Sequence, residues 1–211
     1  MRRILTVAEP EVMVQLVRLI VLYEDLKLEV AGLHVPPDKE FDEVSKHYRS
    51  MYFIRRAFAT LWEMDSAFHK LNMLKEFKNR RHSFDRERLK TWVAAVAFFS
   101  RTKRFIDSQR NAYGGHITDD LARFVLSKVE QTDDSPGALE VKISDDRTNH
   151  YVFKFAETIV SHAMFVDRGE RDPADFLHES WGLLLEAVQH AAHATQILAD
   201  AYIMPAFGWG R

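Results

Sequence analysis

The residue types most able to do chemistry in this chain sit in one short run, SQRNAYGGHITDD, where Arg110 and Asn111 precede a glycine pair and His116 follows it. A histidine exchanges a proton near neutral pH, an arginine stabilises negative charge on a phosphate, and an asparagine orients a hydroxyl or amide. Together they form a set able to cleave a phosphodiester without a metal. On a straight helix Arg110 and His116 stand about 120° apart around the axis, so cooperation requires the bend that Gly114-Gly115 permits. Upstream, Lys103 and Arg104 with the nearby Tyr113 supply charge and an aromatic ring suited to holding a substrate.

Arg110 lies eighteen positions after Trp92, and at 100° per residue this returns it to the face that carries Trp92, Val96, Phe99 and Ile106. A guanidinium on an apolar face is costly unless it pairs, lines a cleft or meets another subunit. Lys103 shares that face, which also fits a stripe emerging into solvent. From Lys75 to Arg110 there are eleven Lys or Arg against four Asp or Glu, a local balance of +7, while the rest of the chain carries −9 within the net charge of −2. The segment suits a phosphate backbone, and equally a solvated helix face between acidic neighbours.

The pattern Arg-Asn, four residues, then His resembles the motif of the HEPN superfamily (higher eukaryotes and prokaryotes nucleotide-binding). The resemblance implies an all-helical bundle, a homodimer that brings two motifs into one cleft, and metal-independent RNA cleavage of the host-defence or toxin kind. It implies that His116 acts as general base towards a ribose 2′-hydroxyl, Arg110 stabilises the phosphate, and Asn111 orients them, leaving a 2′,3′-cyclic phosphate. The partners implied are RNA or a nucleotide and a second copy of the chain; no cofactor or metal is called for. A non-catalytic helical module binding a nucleotide or a protein partner fits the same surface. A bundle metalloprotein is a third reading, because Glu186, His190 and His193 have four- and three-residue spacing on one helix. His162, by contrast, shares a face with Ile159 and Val166 and reads as a core histidine, and Asp65 with His69 reads as a helical pair.

The elements that must position these residues are helical. At 211 residues and 46% hydrophobic, the chain suits one domain spanning 1–211. With no cysteine, disulfides, Cys-ligated zinc and a thiol nucleophile are excluded, and a cytoplasmic setting follows. Arg18, Glu24 and Asp25 interrupt the apolar N-terminal stretch, so neither a signal peptide nor a membrane span is expected. Phosphate-binding glycine loops, dinucleotide fingerprints and serine elbows do not occur, which sets aside nucleoside-triphosphate hydrolysis, hydride transfer and acyl transfer.

Apolar residues recurring at three and four predict a mostly all-α bundle of about five to seven helices. Thr6 and Glu9 form a capping box for a first helix to about Ala31, stopped by Gly32 and Pro36-Pro37. A second region from Phe41 to Leu71 is too long for one ordinary helix, which predicts a break before Arg80. Asp85 caps a third helix ending at Gly114-Gly115, and Thr118 caps another to about Gln131. Leu139, Val141 and Ile143 alternate with polar residues, predicting one short strand or a hairpin near 138–152 with its return near Tyr151. Helical spacing resumes from Val152 to Val166. Asp172-Pro173 opens the last helix, whose buried face is read as Trp181, Leu184, Val188, Ala192, Thr195, Ala199 and Tyr202. The tail from Tyr202 to Trp209 suits covering a neighbour or a subunit interface.

Overall fold

The computed structural model describes residues 9–33, 43–113, 141–143, 151–153 and 173–207, with side chains described at 9–33, 49–107 and 178–205. Among them are five α-helices: α1 (Pro10–Leu33), α2 (Glu43–Met73), α3 (Lys75–Arg81), α4 (Arg86–Tyr113) and α5 (Pro173–Leu198). The α5 helix runs on into a π turn (Ala199–Ile203) and a 3-10 turn (Met204–Phe207). Two three-residue strands, β1 (Val141–Ile143) and β2 (Tyr151–Phe153), pair antiparallel with Lys142 opposite Val152. The expected strand pair is therefore present, and Val152 belongs to it instead of opening a helix. The expected helices over 118–131 and 155–166, His162 and the tail beyond Phe207 lie outside the described residues.

Four long helices form the core as a ring, α1 beside α2, α2 beside α4, α4 beside α5, and α5 beside α1. Neighbours run antiparallel. Along α1 and α2, Glu29 meets Thr60 and Arg18 meets Glu63. Along α2 and α4, Asp65 meets Lys103 while Asn72 meets Trp92. Along α4 and α5, Arg101 meets Glu186 and Arg88 meets Asp200. The all-α bundle expected from the periodicity is the fold observed.

Two local departures from the expected boundaries, and the position of the expected break, have physical causes. Gly32 does not stop α1, which continues to Leu33; a Cβ at this position would stand 2.6 Å from ring atoms of Phe53, so the missing side chain gives α2 its close approach. The break before Arg80 falls at Leu74, whose backbone is extended (φ −66°, ψ 129°) with no side-chain cap. It redirects the chain so that α3 buries Phe77 against Trp92, ring centroids 4.9 Å apart. On α5 the buried line runs through Ser180, Leu184, Ala187, Ala191, Ala194 and Leu198, with Trp181 and Val188 only flanking it. Alanines let α5 approach its neighbours closely, so the centre of this face is marked by small residues and not by its largest ones.

Other expectations hold. Asp85 Oδ1 accepts the backbone N–H of Arg88 at 2.9 Å, the N-cap bond that starts α4, and Pro173 occupies the first position of α5. Arg80 ties α3 to the far end of the chain, donating at 2.8 Å to the carbonyl of Ala201 in the π turn and lying 5.6 Å from the Tyr202 ring.

An aromatic cluster lies between α2 and α4. Phe68 contacts both Trp92 and Phe99, at 5.5 and 4.8 Å between centroids, and all three are sealed from solvent. The buried indole N–H donates to Asn72 Oδ1 at 3.2 Å, Arg81 donates to the same oxygen at 3.2 Å, and Asn72 Nδ2 donates to the Phe68 carbonyl at 3.0 Å. Replacing Asn72 by alanine strands the indole N–H, and a loss of about 2 kcal/mol is expected in chemical denaturation.

A second buried polar site lies between α1 and α2. Glu29 is 7% exposed; its Oε1 accepts from Thr60 at 3.0 Å with Arg56 3.6 Å away, and its Oε2 has no hydrogen-bond partner. Burial lifts this carboxyl to about 7 against the opposing pull of Thr60 and Arg56. The folded state therefore holds a proton that the unfolded chain releases above its ordinary value of 4.5. Stability from this group is complete below that value and falls as pH rises towards 7, by about 3 kcal/mol at most. Glu29→Gln should match the wild type near pH 4.5 and exceed it in thermal stability at pH 8, the gap opening between those limits in paired melts.

Candidate functional site

Helix α4 carries most of the residues singled out for chemistry. Its 28 residues span about 42 Å. Arg110, Asn111 and Tyr113 belong to its last turn, directly before Gly114 in the sequence; their side chains, and His116 entirely, lie outside the described residues. Because α4 is unbroken from Arg86 to Tyr113, position 110 keeps the azimuth of Trp92 five turns earlier, and position 111 keeps that of Val93.

Lys103 is committed to a partner. Its Nζ lies 2.7 Å from Oδ2 of Asp65 on α2, whereas sequence spacing pairs that aspartate with His69. Asp65 is 9% exposed, while the lysine side chain is about half exposed. The hydrogen bond first and the carboxylate charge second hold the ammonium above its ordinary range. Nor does the apolar stripe run out at Lys103, since Ile106 one turn further on is buried. Arg104 stands one residue round the helix, exposed.

The outer face of α4 is cationic at both ends and small in the middle. Arg86, Lys90, Val93, Ala97, Ser100 and Arg104 are all exposed and recur at three and four, and Arg86 and Arg104 share one azimuth about 27 Å apart. Beside the small residues an open cavity of about 290 Å³ lies between α2 and α4. Phe68, Trp92 and Phe99 line its depth, and Asp65, His69, Asn72, Arg81 and Ser100 contribute its polar groups. Sequence reasoning did not assemble this cavity. Its only trace is the spacing of 65, 68, 69 and 72, which places those four residues on one face of α2.

Two of the three candidate ligands on α5 are otherwise engaged. Glu186 Oε1 is 3.6 Å from His190 Nε2 and 3.2 Å from Arg101, and His190 stacks on Phe98 at 4.8 Å. His193 is exposed. Among the described residues, no group of three or more His, Asp or Glu is arranged to hold a metal ion, and no helix is long and apolar enough to cross a membrane. Comparison with protein-family models, curated proteins and solved structures returned no match.

Because Lys103 balances a buried carboxylate, Lys103→Ala should lower stability by about 1 kcal/mol, whereas Arg104→Ala should change it by less than about 0.5. Urea denaturation of the two variants beside the wild type checks this; equal effects would mean that the Asp65 pair carries no stability.

Proposed function

We propose that the chain is a HEPN-type RNA-binding protein and metal-independent endoribonuclease of the defence or toxin kind, acting as a homodimer with Arg110, Asn111 and His116 as its catalytic set. What supports the reading is the sequence motif together with one observation: an unbroken helix with a cationic outer face brings Arg110 and Asn111 to its end, immediately before the glycine pair. Arg104 on that face is available to a phosphate backbone, and Lys103 reaches it only by sharing charge with Asp65.

The chemistry follows from the residue types. His116 takes the proton of a ribose 2′-hydroxyl, whose oxygen attacks the adjacent phosphorus. The bond from phosphorus to the 5′-oxygen breaks, and that oxygen leaves with a proton taken up from solvent. Arg110 donates hydrogen bonds to the phosphate oxygens as charge builds on them, and Asn111 orients the reacting groups. The products are a 2′,3′-cyclic phosphate and a 5′-hydroxyl end. A second reading, a non-catalytic nucleotide-binding module, is favoured by the cavity between α2 and α4, which lies away from the motif.

Labelled single-stranded RNAs incubated with the full chain in EDTA should be cut to cyclic-phosphate ends. His116→Ala and Arg110→Ala should each lose about 100-fold or more in rate while keeping the wild-type circular dichroism. Intact RNA after incubation with folded wild type, but retained on it in gel shift, would favour the second reading; cleavage unchanged in both variants would sink the assignment of the catalytic set.

A further inference from the structure

We propose that the cavity between α2 and α4 is a nucleobase site, with guanine its preferred occupant, held beside a phosphate track along the outer face of α4. That the strand is RNA rests on the function proposed above; the cavity and its chemistry do not.

Three observations lead here. The first is size: about 290 Å³ lies just below the roughly 300–1,000 Å³ typical of drug-sized ligand sites, room for a base and part of its sugar. The space exists because Ala97 and Ser100 are small where α4 passes Phe68 and His69 of α2. A flat aromatic ligand gains apolar contact there with the exposed side chains of Val93 and Ala97, above the sealed rings of Phe68 and Phe99.

The second is the polar lining. Asp65 is more than nine-tenths buried, and as a carboxylate it only accepts hydrogen bonds. Lys103 occupies Oδ2, and two oxygens offer more lone pairs than one ammonium fills. The base that matches an acceptor-only group is the one presenting adjacent donors, and the Watson–Crick edge of guanine carries an imino and an amino N–H side by side. Adenine and cytosine offer a single amino group and uracil a single imino group there. His69 and Arg81, also lining the cavity, supply donors for the carbonyl or phosphate oxygens of the same nucleotide.

The third is charge. Arg86 and Lys90 lie on one side of the cavity and Arg104 on the other, all exposed on the stripe to which Val93, Ala97 and Ser100 belong. A strand lying along α4 meets cations before and after the point where one base turns inward. Single-strand binders commonly combine such a positive track with aromatic surface for the bases. The cavity centre near Ala97 is about 20 Å along the axis from Arg110, so the docked base lies several nucleotides from the scissile bond. The site thus selects where a strand is read, not where it is cut.

Calorimetric titration of the full chain with 5′-GMP, AMP, CMP and UMP, in EDTA, tests this. GMP should bind tightest, by about fivefold or more over the others, the discrimination one good hydrogen-bonded edge provides. Ala97→Leu, which fills an exposed helix position, should weaken GMP at least tenfold; Ser100→Leu gives the same test should the first variant fail to fold. Arg86→Gln with Lys90→Gln should lower the affinity and flatten the salt dependence of binding to a guanine-containing 12-mer RNA, while GMP stays the tightest-bound of the four mononucleotides. Failure of every mononucleotide to saturate, or GMP binding untouched by both cavity-filling variants, overturns the proposal. If the wild type cuts RNA while either of those results holds, the base site falls and the ribonuclease stands; if GMP binds as expected and no RNA is cut, the reverse follows.

Discussion

The indole of Trp92 fixes the rotation of α4, and the remaining geometry of the molecule's charged face follows from that rotation. The ring is buried against Phe68 and Phe77, and its N–H is satisfied by Asn72, so α4 cannot turn about its axis without both losing aromatic contact and orphaning a donor. With that phase set, Lys103 meets Asp65, the small residues Ala97 and Ser100 face the cavity, and Arg86, Lys90 and Arg104 are presented to solvent. The same rotation carries positions 110 and 111 to the azimuths of Trp92 and Val93 at the end of the helix. A single packed side chain thereby orients groups spread over about 42 Å.

Much of this was legible in the sequence because helical phase is arithmetic. The face holding Trp92, Phe99 and Ile106 is buried as its spacing implies, Asp85 starts α4, and Pro173 starts α5. What escaped depends on partners far away in the chain. Nothing local marks Lys103 as the counter-ion of an aspartate 38 positions earlier. Leu74 is a good helix former, yet it interrupts the helix because Phe77 gains more by reaching the core than one continued turn provides. On α5 the eye is drawn to Trp181 and Val188, while close packing selects Ala187, Ala191 and Ala194.

The candidate site divides along the same line. The motif Arg110-Asn111…His116 is a local pattern and is found by reading along the chain. The cavity is a product of two helices, where small residues on α4 leave room beside the polar face of α2, and no periodicity rule announces a space. Polar groups in the two helices acquire meaning only together: Asp65 without Lys103 is a costly buried charge, and Asn72 without Trp92 is an unremarkable amide.

The contact of Gly32 with the ring of Phe53 has an evolutionary corollary. Positions 32 and 53 compete for one volume, so a side chain acquired at the first is tolerated only where the second has shrunk or moved aside. Descendants of this sequence should exchange bulk between the two in compensating pairs, and such paired drift would mark the α1–α2 crossing even after the surrounding residues had diverged.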